Sequence, residues 1–94
     1  MEIEIVDDPD EGRYEARVDG EVVGVAVRSV REGTMVLPHT EVRPSWRGRG
    51  VAAALVRRAL DDARAQGLAV VPRCSFVARY VADHPDVHDL VAAH

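Results

Sequence analysis

A short run of arginine and glycine directly precedes a segment with helical apolar periodicity. The run is Arg43-Pro-Ser-Trp-Arg-Gly-Arg-Gly-Val-Ala52, with three arginines and two glycines, and no acidic residue lies between Val42 and Leu60. Helix starts carry partial positive charge and normally favour Asp or Glu. Arginines fit there when an anion is bound against the free backbone N–H groups of the first turn, which is a common phosphate site. The run therefore predicts a phosphate-bearing ligand.

The glycines of this run support the same interpretation. Arg47 is followed three positions later by Gly50 and five positions later by Ala52, a spacing in which small residues let a backbone approach a ligand. Gly48 adds a second such position, so successive N–H groups can surround an anion that arginine side chains flank. Two alternatives are an ordinary solvated loop and an RGG-like RNA contact. The place of the run, after a predicted strand and at the start of a long amphipathic helix, favours the phosphate site.

The charges of the chain are unevenly distributed. Residues 1–20 hold eight acids and two arginines, whereas residues 43–58 hold five arginines and no acid, and the chain has no lysine. This arrangement suits the steering of a small anion, and the net charge of −4 argues against nucleic acid as the main partner. The single cysteine excludes an internal disulfide, and no apolar run is long enough to span a bilayer. We therefore expect a cytoplasmic protein without membrane association.

The spacing of apolar residues along the chain predicts the strands and helices that must position these residues. Alternation of polar and apolar residues predicts strands over 2–6, 13–18, 21–30 and 34–42, with a hairpin turn at Asp19-Gly20 and a bend or bulge at Pro38. The period then changes, and one apolar helical stripe consists of Val51, Ala52, Leu55, Val56, Ala59, Leu60 and Ala63. A buried strand over 68–71 and a second helix, capped by Ser75 and ending near Asp83, complete the pattern.

These elements predict an α/β fold. An antiparallel meander of about four strands is followed by a helix, a strand paired in parallel with the meander, and a C-terminal helix. The 94 residues are enough for one small core, so we expect residues 1–94 to form a single domain.

The order of these features resembles the GNAT fold of the Gcn5-related N-acetyltransferases, and more narrowly its very small members, which begin with the meander and lack the usual first helices. The stretches that carry the resemblance are His39-Thr-Glu-Val42, Arg47-Gly-Arg-Gly50, Ala54-Leu-Val56, Val70-Val-Pro-Arg-Cys-Ser-Phe-Val77 and His84-Pro85. The resemblance implies acetyl-CoA as cosubstrate and an amine acceptor. It implies that the pyrophosphate binds at 47–52 and that the pantetheine arm follows the strand ending at Val42. The expected cofactor-binding residues are Val42, Arg43, Arg47, Gly48, Arg49, Gly50, Val51, Ala52 and Ser75.

Cys74 is a candidate catalytic residue, because it follows the buried strand where the strand pair of this family opens around the thioester. Its thiolate can attack an acyl thioester there, and Arg73 together with the helix start at Ser75 would lower its pKa. A buried structural cysteine is the alternative.

His39 is the candidate base, since it lies on the strand that lines the cofactor cleft in the family. A neutral imidazole can accept a proton from an amine or from Cys74. Glu41 lies on the same strand face, where it can orient His39 or act as a base through water. Small GNAT-like proteins resemble this chain in carrying His and Cys at these two places. A polar side chain on a half-exposed strand is the alternative for His39.

The other aromatic and histidine residues carry weaker signals. Tyr80 lies where many GNAT enzymes place a tyrosine general acid, but its spacing from the buried strand does not match, which favours packing. Trp46 can stack on adenine or anchor the loop. Pro85 interrupts the spacing of His84 and His88, and no second ligand pair exists, so with His94 they are interpreted as surface residues rather than metal ligands.

The leading hypothesis is an acetyl-CoA-dependent N-acetyltransferase that acts on a small molecule or a protein amine, as a monomer or weak homodimer. Transfer is either direct or through an acetyl group on Cys74. One alternative is a non-catalytic CoA-binding module. Another is a nucleic-acid-binding domain that uses residues 43–58, against which the acidity and the few aromatic residues count.

Overall fold

The computed structural model describes residues 2–91, so His94 lies outside the described part of the chain. One five-stranded sheet has the order β1-β2-β3-β4-β5. Its first three pairings are antiparallel and the last is parallel. The elements are β1 (Glu4–Asp8), β2 (Arg13–Val18), β3 (Glu21–Arg31), β4 (Thr34–Val42), α1 (Val51–Ala65), β5 (Ala69–Val71) and α2 (Ser75–Asp83), with 3-10 helices at Pro44–Trp46 and Pro85–Leu90. The predicted meander, helix, parallel strand and second helix are confirmed.

Tight turns hold the meander together. Asp19 and Gly20 have φ values of 51° and 81°, the left-handed conformation that a two-residue hairpin loop requires. Glu32 and Gly33 repeat this geometry between β3 and β4, with φ values of 50° and 78°. The hairpin predicted at Asp19-Gly20 is therefore confirmed. The two turns place β2, β3 and β4 side by side in sequence order.

The core lies between one face of the sheet and the helices. The predicted stripe of α1 is buried except for Ala52, which is half-buried, and it packs on strand residues such as Tyr14, Ala16 and Leu37. Val77 and Val81 of α2 belong to the same cluster of buried side chains. Within residues 2–91, no helix is long and apolar enough to cross a bilayer.

An irregularity in β4 decides which side chains face the helices. Val27 pairs with His39, whereas Ser29 pairs with Val36, so that Leu37 and Pro38 together lie opposite one residue of β3. This extra residue is a β-bulge and confirms the irregularity predicted at Pro38. It changes the alternation of side chains between the two halves of β4.

Beyond the bulge, the partners on β3 define the two faces of β4. Thr40 and Val42 pair with Ala26 and Gly24, both of which face α1. Because residues opposite each other in a ladder share a face, Thr40 and Val42 also lie on the helix side. His39 and Glu41 lie on the other side, which we call the open face. It comprises Glu4, Val6, Asp8, Arg13, Glu15, Arg17, Val22, Val25, Val27, Ser29, Arg31, Thr34, Val36, His39 and Glu41.

Candidate functional site

A groove with a volume of about 760 Å³ lies along the second half of β4, beside the starts of α1 and α2. It exists because β5 pairs with β4 only from Thr34 to Val36, which leaves the rest of this edge of β4 without a neighbouring strand. The residues that line the groove are His39, Thr40, Glu41, Val42, Trp46, Arg47, Gly48, Gly50, Val51, Ala52, Ala53 and Phe76.

The main chain of β4 offers hydrogen-bonding groups to this groove. The N–H of Arg43 donates to the carbonyl oxygen of Val23 at 2.9 Å, so Arg43 points its backbone groups towards β3. Backbone groups of alternate residues in an antiparallel ladder point the same way, and hence those of Val42 and Thr40 point into the groove. Near the bulge, the N–H of Cys74 donates to the carbonyl oxygen of Leu37 at 3.0 Å and ties the loop after β5 to this edge.

The arginine and glycine run forms the opposite wall. Gly48 and Gly50 have φ values of 76° and 81°, a conformation that glycine adopts without steric cost. Gly50 caps α1 without a side-chain hydrogen bond, and the first turn of α1 contains no acidic residue. The N–H groups of residues 51–53 precede the first intrahelical hydrogen bond, which Ala54 makes to Gly50, and therefore remain available to a ligand. This wall can hold a phosphate or another anion.

The three arginines of the run differ in their surroundings. Arg47 lines the groove. The guanidinium of Arg49 lies over the ring of Trp46, 4.9 Å from its centroid, a cation–π contact that orders both side chains. Arg43 forms an exposed ion pair with Glu21, at 3.2 Å. Of the predicted cofactor-binding residues, Arg43, Arg49 and Ser75 lie beside the groove and not in its wall.

Cys74 occupies the N-cap position of α2, and Ser75 is the first helical residue, which corrects the prediction that Ser75 is the cap. Partial burial raises the pKa of the Cys74 thiol, but the backbone N–H of Val77, the Thr40 hydroxyl and the N–H groups of Phe76 and Thr40 outweigh it, so the pKa is lowered overall. The Thr40 hydroxyl is buried and has no nitrogen or oxygen partner among residues 2–91. Helix-start N–H groups and this hydroxyl, rather than the predicted charge of Arg73, favour the thiolate.

His39 and Glu41 form a separate pair at the other side of the groove. The Nε2 atom of His39 lies 3.3 Å from a carboxylate oxygen of Glu41, and the side chains are 57% and 68% exposed. His39 lies on the open face, whereas Thr40, next to Cys74, lies on the helix side of the strand. The sequence left open whether His39 can reach Cys74; the bulge places His39 on the open face, whereas Cys74 contacts Thr40 on the helix side.

Three residues of the groove, Thr40, Ala53 and Phe76, were missed in the sequence. Thr40 lies between His39 and Glu41, and strand alternation alone places it on the face opposite to theirs. Phe76 is the only phenylalanine of the chain, and its side chain is 39% exposed at the start of α2. A large aromatic residue in the first turn of a predicted helix was the available signal for Phe76.

Tyr80 packs outside the groove. Its hydroxyl accepts a hydrogen bond from the Nε atom of Arg57 at 2.8 Å, and its ring stacks on His84 with a centroid separation of 3.8 Å. This is the packing role expected from its spacing. Throughout residues 2–91 there is no group of three histidine, cysteine or carboxylate side chains arranged to hold a metal ion.

Comparison with known proteins decides the family. Residues 13–90 match the model of a family described as GCN5-related N-acetyl-transferase. The chain belongs to this GCN5-related family. The match covers β2 to the second 3-10 helix, and so includes every residue that lines the groove.

The curated relatives of this GCN5-related chain are longer proteins, and the chain matches only a part of each one. Protein NATD1 of Xenopus tropicalis is 36% identical over 56 residues, which are 60% of this chain and 51% of that protein. Protein NATD1 of Homo sapiens is 39% identical over 49 residues, 52% of this chain and 43% of that protein. The chain thus spans about half the length of the curated relatives that it matches.

Solved structures share the fold. The ribosomal-protein-S18-alanine N-acetyltransferase from Escherichia coli superposes with a TM-score of 0.63 at 19% identity, over 76% of this chain and 48% of that one. Ard1 from Thermoplasma volcanium gives a TM-score of 0.62 at 25% identity, over 79% and 55%. The likeness extends to about half of each larger chain and shows that the fold is shared.

Proposed function

We propose that this chain is an N-acetyltransferase that uses acetyl-CoA as cosubstrate and that residues 1–94 act as one domain. One observation carries the proposal: the free edge of β4 and the acid-free start of α1 face each other across a single groove. A matching ligand has an anionic group at one end, for the start of α1, and an amide-containing chain at the other end, for the edge of β4. Acetyl-CoA has this composition.

The cosubstrate would use each wall for a different part of its structure. The pyrophosphate binds the N–H groups of residues 51–53 and the guanidinium of Arg47, since helix starts stabilise phosphate oxygens. The pantetheine arm hydrogen-bonds with the outward-pointing backbone groups of Val42 and with the carbonyl oxygen of Thr40. The acetyl carbonyl oxygen then accepts from a β4 N–H, and this donor stabilises the negative charge that develops during attack.

Direct transfer requires an amine and a base. The amine nitrogen attacks the carbonyl carbon of the thioester, the C–S bond breaks, and CoA leaves as a thiolate. The amine loses a proton to Glu41 or His39, either directly or through water, and the thiolate of CoA takes up a proton from solvent. His39 can serve as this base without reaching Cys74, because both His39 and Glu41 line the groove.

A covalent route through Cys74 is the second form of the same proposal. The Cys74 thiolate attacks the acetyl carbonyl and releases CoA, after which the amine attacks the new thioester and regenerates the thiolate. The lowered pKa of Cys74 supports this route. The position of His39 on the open face supports direct transfer, since its imidazole is then not directed at the thiol to take its proton.

Intact-mass spectrometry after incubation with acetyl-CoA distinguishes the two routes. Because the chain has no lysine, a stable acetyl adduct can reside only on Cys74 or the α-amino group among its strong nucleophiles. An adduct that hydroxylamine removes, and that Cys74→Ala lacks, supports the covalent route. Transfer to an amine by Cys74→Ala at the wild-type rate contradicts it and supports direct attack.

Calorimetry of CoA binding tests the cosubstrate assignment itself. Arg47→Glu should weaken binding at least about tenfold, more than an exposed charge change does. Arg31→Glu is the matched control, because it makes the same charge change at the end of β3, opposite Thr34 and away from the groove, and should leave the dissociation constant unaltered. Equal effects of the two variants would contradict the pyrophosphate site. CoA binding without transfer to any amine would favour the non-catalytic CoA-binding module.

A further inference from the structure

We propose that the chain also hydrolyses acetyl-CoA to acetate and CoA, with His39 as the base that takes a proton from water and Glu41 as the residue that orients it. This activity goes beyond acetyl transfer to an amine, but it rests on the proposed binding of acetyl-CoA in the groove. The observations that carry it are the exposure of the pair His39 and Glu41, the hydrogen bond between them and their place in the groove wall.

Water reaches the groove from the open face. An enzyme that closes around a reactive group expels water and so prevents its hydrolysis. Here the side chains of His39 and Glu41 are 57% and 68% exposed, and both line the groove. The helices α1 and α2 pack on the opposite face of the sheet. A thioester held along β4 is therefore open to solvent on the side where these two groups lie.

The pair is not used by the rest of the fold. The residues directly opposite it on β3 are Val25 and Val27, so the neighbouring strand offers no charged partner there. Within residues 2–91, the contact between His39 and Glu41 is the one ion pair that either side chain makes. Glu15, on the same face, differs because it binds two arginines. His39 and Glu41 can therefore exchange protons with water or a ligand at little cost to the fold.

The hydrogen bond gives the two side chains different roles. The Nε2 atom of His39 lies 3.3 Å from a carboxylate oxygen of Glu41. An ionised carboxylate only accepts hydrogen bonds, so the neutral imidazole carries its proton on Nε2 and its lone pair on Nδ1. Nδ1 is thus the nitrogen that can accept a proton from water, and Glu41 stabilises the imidazolium that forms.

The reaction uses only water and acetyl-CoA. The oxygen of a water molecule attacks the carbonyl carbon of the thioester while Nδ1 of His39 takes one of its protons. The C–S bond then breaks, which releases acetic acid and the CoA thiolate. The imidazolium returns its proton to the thiolate through solvent, and the acetic acid ionises to acetate. An amine that reaches the carbonyl carbon competes with this water, so hydrolysis is the reaction expected when no amine is present.

Product analysis in the absence of any amine tests the inference. The purified protein is incubated with acetyl-CoA, and CoA and acetate are both quantified by NMR. We expect equal amounts of the two products over many turnovers per chain. CoA released once per chain and without acetate would show transfer to Cys74 alone and would overturn the inference. A protein that binds CoA but forms no acetate above the spontaneous rate would also overturn it, whereas a protein that does not bind CoA would overturn the proposed function itself.

Variants of the pair separate a chemical role from a structural one. A positioned base contributes about 10²–10⁴-fold, and solvent partly replaces one that is exposed, so His39→Ala should lower the kcat of hydrolysis at least about tenfold. Glu41→Gln should lower it about threefold or more, and both effects should fall on kcat rather than on KM. His88→Ala, at an exposed histidine of the second 3-10 helix, is the matched control and should hydrolyse acetyl-CoA at the wild-type rate. Equal rates in the wild type and His39→Ala would overturn the inference.

Added imidazole gives a readout that a structural role of His39 would not move. Because the site is open to small solutes, free imidazole should restore hydrolysis by His39→Ala, after subtraction of the rate measured without protein. The same imidazole should have no such effect on the wild type, whose own base is in place. Failure of imidazole to raise the rate of His39→Ala would overturn the assignment of His39 as the base.

Discussion

Gly24 permits the close approach of α1 to the sheet, and replacing it with alanine tests this contact. A Cβ atom at this position would lie 2.9 Å from a methyl group of Val51, 3.2 Å from the carbonyl oxygen of Glu41 and 3.3 Å from a methyl group of Leu55. Carbon atoms pack favourably at about 3.5–4.0 Å, so the first turn of α1 must move outward by roughly 0.6–1 Å. The stiff side chain of Val51 and the backbone oxygen of Glu41 cannot give way easily.

The energetic balance of Gly24→Ala favours destabilisation. Overpacking a close contact costs about 1–3 kcal/mol, whereas the lower entropy of the unfolded chain returns about 0.4–1 kcal/mol. We therefore expect the free energy of unfolding to fall by about 1–2 kcal/mol in urea denaturation, and the slope with urea to stay the same.

The same substitution should weaken CoA binding in the folded protein, because Val51 begins the helix whose N–H groups line the groove. Calorimetry well below the unfolding transition measures this effect. The double variant Gly24→Ala/Val51→Ala removes the closest contact, so its loss of stability should be smaller than the sum of the single losses by about 0.5–1 kcal/mol. A Gly24→Ala variant as stable as the wild type, or strictly additive losses, would refute the steric reasoning.

Two further predictions concern titrating groups. Hydrogen bonds from Arg17 lower the pKa of Glu15; burial opposes this effect, and a hydrogen bond from Arg13 adds to it. The ionised carboxylate of Glu15 therefore stabilises the fold above the unfolded pKa of about 4.3. This stabilisation is lost as the pH falls through the lower pKa of the folded state. Glu15→Gln should lower the free energy of unfolding by about 1–2 kcal/mol at pH 7 and by nothing in strong acid; a pH-independent loss contradicts this account. Thr40→Val should raise the pKa of Cys74, measured as the pH midpoint of iodoacetamide alkylation, and an unchanged midpoint would show that the hydroxyl does not act on the thiolate.

The sequence predicted the features that depend on neighbouring residues. The alternation in β2 and the Asp19-Gly20 turn determine a hairpin without reference to the rest of the chain. The stripe of α1 predicts a buried helix face because its residues recur at helical spacing. The loss of a backbone donor at Pro38 similarly predicts an irregular ladder before any partner strand is known.

The features that sequence reasoning could not supply depend on distant partners. The face of His39 depends on where β3 accommodates the extra residue, and strand alternation alone does not determine this. Arg43 pairs with Glu21 because the pairing of β3 with β4 brings the ends of these strands together. The 3-10 helix at Pro44–Trp46 and the exposure of Phe76 follow from how α1 and α2 dock on the sheet.

The bulge in β4 makes the faces of His39 and Thr40 depend on their pairing with β3 rather than on the alternation of β4 alone. With all the present residues, a regular ladder continued from Val36 would place His39 on the helix side and Thr40 on the open face. Removing Pro38 would instead leave Leu37 alone between the pairs Ser29–Val36 and Val27–His39, so the ladder would become regular while His39 and Thr40 kept their faces. The extra residue is therefore what allows Leu37 to face the core and Thr40 to face the thiol in a strand with an additional proline between them.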